Sequence, residues 1–198
     1  MKTNVEIEIR QAEVSDALAL AKLIDIAGEG IPNWLWSKSV TDEKKPLDIG
    51  VERASREQGG FSYTNALVAE VMGEIKGMIL SYPIDSAPQD NPEDLPAPIA
   101  PFVELEKHSV DTWYINALAV FAGNRGAGIG SKLMAKAEEL ARLDGHKSMS
   151  IQVYSQNTEA VRLYKHLGYD ETVRAKVLDH PCQPYYDEDV LLLIKQLA

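Results

Sequence analysis

Cysteine occurs once in the 198 residues, at Cys182, so no disulfide can close within the chain. Basic residues are scarce beside acidic ones: 20 Lys and Arg stand against 30 Asp and Glu, a formal charge of −10. A protein that holds nucleic acid without regard to sequence draws its affinity from basic side chains facing phosphates, so no nucleic-acid partner is expected. Long apolar runs are missing too, none approaching the roughly 20 residues of a membrane span. Met1 to Arg10 is a charged, alternating segment and does not resemble a signal peptide. The expectation is a soluble, cytoplasmic, unprocessed protein with no membrane partner.

What is present suits a core that needs no staples, with hydrophobic residues at 45% and charged residues at 25%. A single domain over 1–198 is expected. Val5 to Arg10 alternates with period two and predicts a first strand. Val14, Leu18, Ala21, Leu23 and Ile24 recur at helical spacing, predicting a helix over 14–27 that Gly28 caps. Trp34 and Trp36 follow in a short linker, where they either pack one helix on another or wall an acceptor pocket. A weaker helical segment runs around Ile49 to Glu57.

Asn65 to Glu70 and Glu74 to Tyr82 predict a hairpin closing near Met72 and Gly73. From Pro83 to Pro101 proline, aspartate and glutamate dominate, which predicts an extended loop without helix or inner strand, in an acidic insertion at about 83–111. Thr112 to Val120 is apolar on both faces, as an inner strand should be. Beyond a break at Phe121 to Asn124 come glycines and then Ile129, Leu133, Met134, Ala137, Leu140 and Ala141 on one helical face. Ser148 to Tyr154 predicts a fifth strand, and Asn157 caps a helix over Thr158 to Leu167 that Gly168 ends. Tyr169 to Leu178 and Val190 to Ile194 are the last strands expected.

The glycine turn is the chemically informative stretch, because a turn opening a helix offers backbone N–H groups and the positive end of the helix dipole to an anion. The Walker loop fails here, since Gly130 is followed by Ser131 and Lys132 in the wrong order. The dinucleotide fingerprint fits poorly, because Gly126, Gly128 and Gly130 follow strands that read as antiparallel. What remains is Arg125-x-x-Gly128-x-Gly130 between a strand and a helix. Downstream stands Asn157-x-x-Ala160-x-x-Leu163-Tyr164-x-x-Leu167-Gly168-Tyr169.

Together these two motifs resemble the GNAT N-acetyltransferase family, and most of the chain follows that family's order of strands and helices. The resemblance implies an α/β (α+β) fold with a central mixed, mostly antiparallel sheet of about seven strands flanked by helices and splayed between strands four and five. It implies acetyl-coenzyme A as cosubstrate, with no metal. The pyrophosphate would meet Arg125, Gly126, Ala127, Gly128, Ile129, Gly130 and Ser131, and the pantetheine arm the main chain of Leu118, Ala119 and Val120; Asn157 and Tyr164 complete the expected coenzyme contacts.

The implied reaction is acetyl transfer to the amine of a small molecule, by direct attack in a ternary complex. An alkylammonium of pKa about 10 must lose a proton, and the thiolate must be stabilised as it leaves. By resemblance Tyr164 is the candidate acid for the thiolate. Tyr114 and Asn116 stand where some relatives carry a strand-four glutamate, and with Trp34 and Trp36 they are the candidate acceptor-side residues. The base stays open between a water held by Asn116 or main-chain carbonyls, and Glu70, Asp111, Glu104, Glu106 or His108. Cys182 lies far from both motifs and gives no support to a covalent route. Two other functions compete: an acetyl-coenzyme A sensor without turnover, and an acetyltransferase acting on protein N-termini or lysines. The apolar VLLLI near the end of the chain raises a homodimer.

Overall fold

Alternation at the start of the chain does produce a strand, β1 (Glu8–Gln11), in the computed structural model, which describes residues 6–90, 95–180, 182 and 186–197. The other strands are β2 (Ala66–Val71), β3 (Glu74–Ile84), β4 (Thr112–Val120), β5 (Ser148–Tyr154), β6 (Asp170–Lys176) and β7 (Asp189–Gln196). The helices are α1 (Ala17–Ala27), α2 (Ile31–Trp36), α3 (Pro46–Ala54), α4 (Ala100–Glu106), α5 (Ile129–Leu143) and α6 (Thr158–His166). The sheet has seven strands in the order β1-β2-β3-β4-β5-β7-β6. Pairing is antiparallel for β1–β2, β2–β3, β5–β7 and β6–β7, and parallel for β4–β5 at Trp113↔Met149, Tyr114↔Ser150 and Ile115↔Ile151. Two compact units divide the chain, one from residues up to Ser81 with Ala117–Ala137, the other from Tyr82–Asn116 with the chain from Glu138 onward.

In the first unit, α1, α2 and α3 pack on one another. Leu20, Ala21, Leu23 and Ile24 form the buried face of α1. Gly28 does end this helix, yet its φ is −89°, so left-handed backbone is not the reason for glycine there. The reason is space: a Cβ on Gly28 would lie 2.5 Å from the Pro32 ring. The stretch expected as a linker is instead the six-residue α2, and Trp36 on it is buried with its ring over Gly50 of α3, where a Cβ would come within 2.6 Å. α3 starts earlier than its apolar pattern indicates, because Pro46 presets φ in the first turn and the Asp48 carboxylate accepts from the Lys45 N–H at 2.8 Å.

Arg10 ties β1 to its surroundings. Its guanidinium donates to Asp16 at 2.7 and 3.1 Å and to Glu70 at 3.0 Å, while Asp16 also accepts from the Glu13 N–H at 2.8 Å. The Arg10 hydrogen bonds hold the Asp16 carboxyl below the usual aspartate range, against the opposing effect of burial. The β2–β3 hairpin closes at Met72 and Gly73, both left-handed at φ 52° and 78°, as a tight two-residue turn requires.

The prolines between 83 and 101 do not prevent regular structure, which corrects the expectation of an uninterrupted loop. β3 continues through Pro83 to Ile84. Ile84 accepts from the Asp111 N–H at 2.8 Å, so Pro83 turns its missing donor to the other side, where pairing with β2 has already ended at Ala66↔Leu80. Pro101 sits in the first turn of α4, where an N–H would have no intrahelical partner in any case.

In the second unit α4 packs on β6 and β7. The VLLLI stretch of β7 lies between β5 and β6, with Val190, Leu191, Leu192 and Leu193 buried and Ile194 half-buried. At the β4–β5 ladder Thr112 Oγ1 and Ser150 Oγ share a hydrogen bond of 2.6 Å, and Thr112 also donates to the Ser109 carbonyl at 2.7 Å. The outer strand β6 alternates charged residues such as Asp170, Glu171, Arg174 and Lys176 along an exposed edge.

Candidate active site

The first unit contains the glycine turn. β4 ends at Val120, the Phe121 N–H donates back to the Lys76 carbonyl at 2.9 Å, and a short 3-10 turn, Ala122–Asn124, carries the chain to Arg125. Arg125 is exposed, and its Nε donates to the Val120 carbonyl at 3.3 Å, which folds the side chain back over the end of the strand. Gly126 and Gly128 follow at φ 76° and 80°, a conformation that costs glycine nothing and other residues about 1–2 kcal/mol. A Cβ at either position would meet no atom within 4 Å, so the outer side of the turn is open.

α5 begins directly on this turn, where the Lys132 N–H donates to the Gly128 carbonyl at 3.1 Å. Gly126, Ala127, Gly128, Ile129, Gly130 and Ser131 therefore precede the first closed helical bond, and their amides find no hydrogen-bond partner among the described residues. With the helix dipole behind them, they suit the oxygens of a phosphate.

Ile129 is buried while its neighbours in the turn are exposed, and it anchors the arrangement. The anchor depends on Gly77 of β3: a Cβ there would lie 2.9 Å from the Ala119 carbonyl oxygen and 3.1 Å from side-chain carbons of Ile129 and Val120. Gly77 was missed as a site-supporting residue. The signal was available, because an isolated glycine inside a strand pattern marks a close approach of another chain segment.

The second unit holds the polar and aromatic candidates. On β4, Tyr114 is buried and Asn116 half-buried. Asn116 Nδ2 donates to the Tyr82 hydroxyl at 3.1 Å, and the Tyr82 and Tyr114 rings meet edge to face with centroids 5.9 Å apart. Burial raises the Tyr82 phenol well above its ordinary range, the nearby Glu106 carboxylate adds to this, and the Asn116 hydrogen bond opposes it. Tyr114 is raised in the same way, by burial first and then by Tyr82 and Glu106.

Asn157 caps α6 by accepting from the Ala160 N–H at 3.3 Å. Tyr164 on that helix is buried, with its ring centroid 6.2 Å from that of Tyr169. Burial raises its phenol well above the ordinary value, so the group stays a protonated donor at neutral pH. Its hydroxyl has no hydrogen-bond partner among the described residues.

The structure thus brings Arg125 to Ser131 together with Leu118, Ala119 and Val120 in one unit, and Tyr114, Asn116, Asn157 and Tyr164 in the other. Trp34 is half-buried with Lys38 Nζ 4.5 Å from its ring centroid, and Trp36 packs α2 on α3.

The description "Acetyltransferase (GNAT) family" matches residues 29–169, which include both motifs and every strand of the sheet from β2 to β5. The chain belongs to the GNAT acetyltransferase family. Its fold is accordingly shared with solved acetyltransferases at low identity. An N-acetyltransferase from Staphylococcus aureus Mu50 is 23% identical, with a TM-score of 0.66 over 94% of this chain and 99% of that one. An agmatine N-acetyltransferase is 20% identical, at 0.64 over 96% and 99%. The yncA protein of Salmonella typhimurium, solved with its cofactor acetyl-CoA, is 19% identical, at 0.63 over 97% and 94%. No curated protein matches the chain. Among the described residues of this GNAT chain, no helix is long and apolar enough to cross a membrane.

Proposed function

We propose that this GNAT protein transfers the acetyl group of acetyl-coenzyme A to the primary amine of a small molecule, by direct attack in a ternary complex within one acetyltransferase domain. The observation that carries the reading is the row of amides from Gly126 to Ser131 that find no hydrogen-bond partner among the described residues, under an open glycine surface. Those donors fit a pyrophosphate that needs no metal. Leu118, Ala119 and Val120 offer main chain to the amide-bearing pantetheine arm in the manner of an added strand. When bound, the coenzyme supplies the activated acyl group.

Of this chain's own residues, Tyr164 is assigned to donate a proton to the departing sulfur. Its protonated state and unused hydroxyl favour that role. The relative solved with acetyl-CoA and the agmatine N-acetyltransferase support a cosubstrate and an acceptor of these classes.

The test is thiol release from acetyl-coenzyme A in the presence of agmatine, putrescine and 2-phenylethylamine. Release dependent on at least one amine is expected, and tight coenzyme binding with no release for any amine would favour a sensor instead. Gly128→Val places a branched side chain where φ is 80° and the anion approaches, so calorimetry should show coenzyme binding lost while the domain stays folded. Binding retained by that variant would refute the assignment of the turn.

A further inference from the structure

Removal of a proton from the acceptor amine needs a base, and the groups the sequence offers for it differ sharply in their surroundings. Glu70 is held in an ion pair with Arg10 at 3.0 Å. Glu104 is exposed and paired with Lys107 at 2.7 Å, which holds its carboxyl below the ordinary range. Asp111 and His108 are exposed to water, and Asp111 occupies the left-handed turn that leads into β4. An exposed group is surrounded by water and an ion-paired one already has its cation, so neither is fixed toward a substrate ammonium.

Glu106 is different in each respect. It is the last residue of α4, half-buried, and its carboxylate has no ion pair or hydrogen bond among the described residues. Its carboxylate acts electrostatically on both Tyr82 and Tyr114. Those two rings are fixed to each other edge to face, and Tyr82 is fixed to Asn116 of β4 by the 3.1 Å hydrogen bond. α4 itself is fastened to β5, since Gln152 Nε2 donates to the Phe102 carbonyl at 3.1 Å and the Phe102 ring stands edge to face with Tyr154 at 5.3 Å. A carboxylate without a partner among the described residues is therefore held on a helix fastened to the sheet, near two aromatic rings. That combination attracts an alkylammonium, because the carboxylate answers its charge and the ring faces its field.

Resting on the acetyltransferase reading, we propose that Glu106 is the general base, and that Tyr82, Tyr114 and Asn116 form with it the receiving site for a cationic primary amine. In the proposed step an N–H bond of the ammonium breaks and an O–H bond forms on Glu106. The electron pair of the broken bond stays on nitrogen as the attacking lone pair, and Glu106 later returns its proton to water.

Burial first, and Asp90 second, raise the Glu106 carboxyl above the usual glutamate range. Lys107 is turned to Glu104, so the neighbouring cation does not cancel the effect. The rise narrows the gap to an amine of pKa about 10 and makes the transfer less uphill. Because Glu106 must be ionised to act, kcat/KM should climb with pH through the raised value of its carboxyl, and the acid limb should be a single-proton step.

Two measurements test this. With the amines used above, Glu106→Gln should lower kcat/KM by about 100-fold or more and abolish the acid limb, with coenzyme affinity unchanged. Glu104→Gln, two residues earlier on α4 and already ion-paired with Lys107, should leave both intact. Independently of turnover, carbon-13 NMR of carboxyl-labelled glutamate should show one signal that titrates above the others and disappears in Glu106→Gln. A Glu106→Gln enzyme that keeps its rate within about threefold and its acid limb would overturn the inference while leaving the transferase reading standing. A wild-type protein that binds the coenzyme but acetylates no amine would defeat the transferase reading, and this inference with it.

Discussion

Gly77→Ala provides a test of how the sheet sets the geometry of the glycine turn proposed to receive the coenzyme. The added Cβ would lie 2.9 Å from the Ala119 carbonyl oxygen, and 3.1 Å from the Ile129 and Val120 side chains. The carbonyl is backbone and cannot rotate away, so the strain must be met by moving β4 outward or by lifting Ile129, the buried first residue of α5. Overpacking of this kind costs about 1–3 kcal/mol. For a chain of 198 residues that corresponds to a fall in Tm of roughly 2–12 °C. Lifting Ile129 also displaces the amides of the turn, so coenzyme affinity should fall along with stability, although Gly77 is a strand residue and not part of the turn. Differential scanning calorimetry and isothermal titration with coenzyme A read the two effects. A variant that melts within about 1 °C of wild type and binds normally would refute the claim that this glycine makes room for the helix start.

Tyr164→Phe should lower kcat by at least about tenfold while leaving Tm and coenzyme affinity nearly unchanged, because the hydroxyl has no hydrogen-bond partner among the described residues to lose; equal kcat would remove Tyr164 from the chemistry. Asp16→Ala should cost about 2–3 kcal/mol at neutral pH, since it deletes hydrogen bonds from Arg10 and from the Glu13 N–H. The Asp16 carboxyl lies below its ordinary value in the folded protein, so its stabilisation is present above the unfolded pKa and is lost as pH falls through the folded one. Chemical denaturation as a function of pH should therefore show wild type and variant converging in acid; a constant difference would assign the effect to packing.

Much of the fold was legible because its central elements obey simple periods. β4, β5 and α5 fall where their apolar patterns end, and the Asn157 cap marks the start of α6. The misreadings lie where proline obscures the pattern. α2 has six residues, too few for a helical repeat to emerge, and it includes Pro32. α4 hides among prolines that look like breakers but fall before the helix or in its first turn. The glycine turn could be read because backbone amides do not depend on side-chain partners far away in sequence. Glu106 could not be singled out in the same way: it differs from Glu104 in burial, and from both Glu104 and Glu70 in having no paired cation among the described residues, and these differences depend on the folded chain.

The charged edge of β6 bears on how this protein behaves in company. An outer strand leaves a row of unpaired N–H and C=O groups that another sheet can extend, which is the first step toward ordered aggregates. Here such docking would bring Asp170, Glu171, Arg174 and Lys176 against a second strand and strip water from their charges. That cost opposes strand addition at the β6 edge, and β6 thereby screens the apolar strand β7, one position inward, from becoming a template.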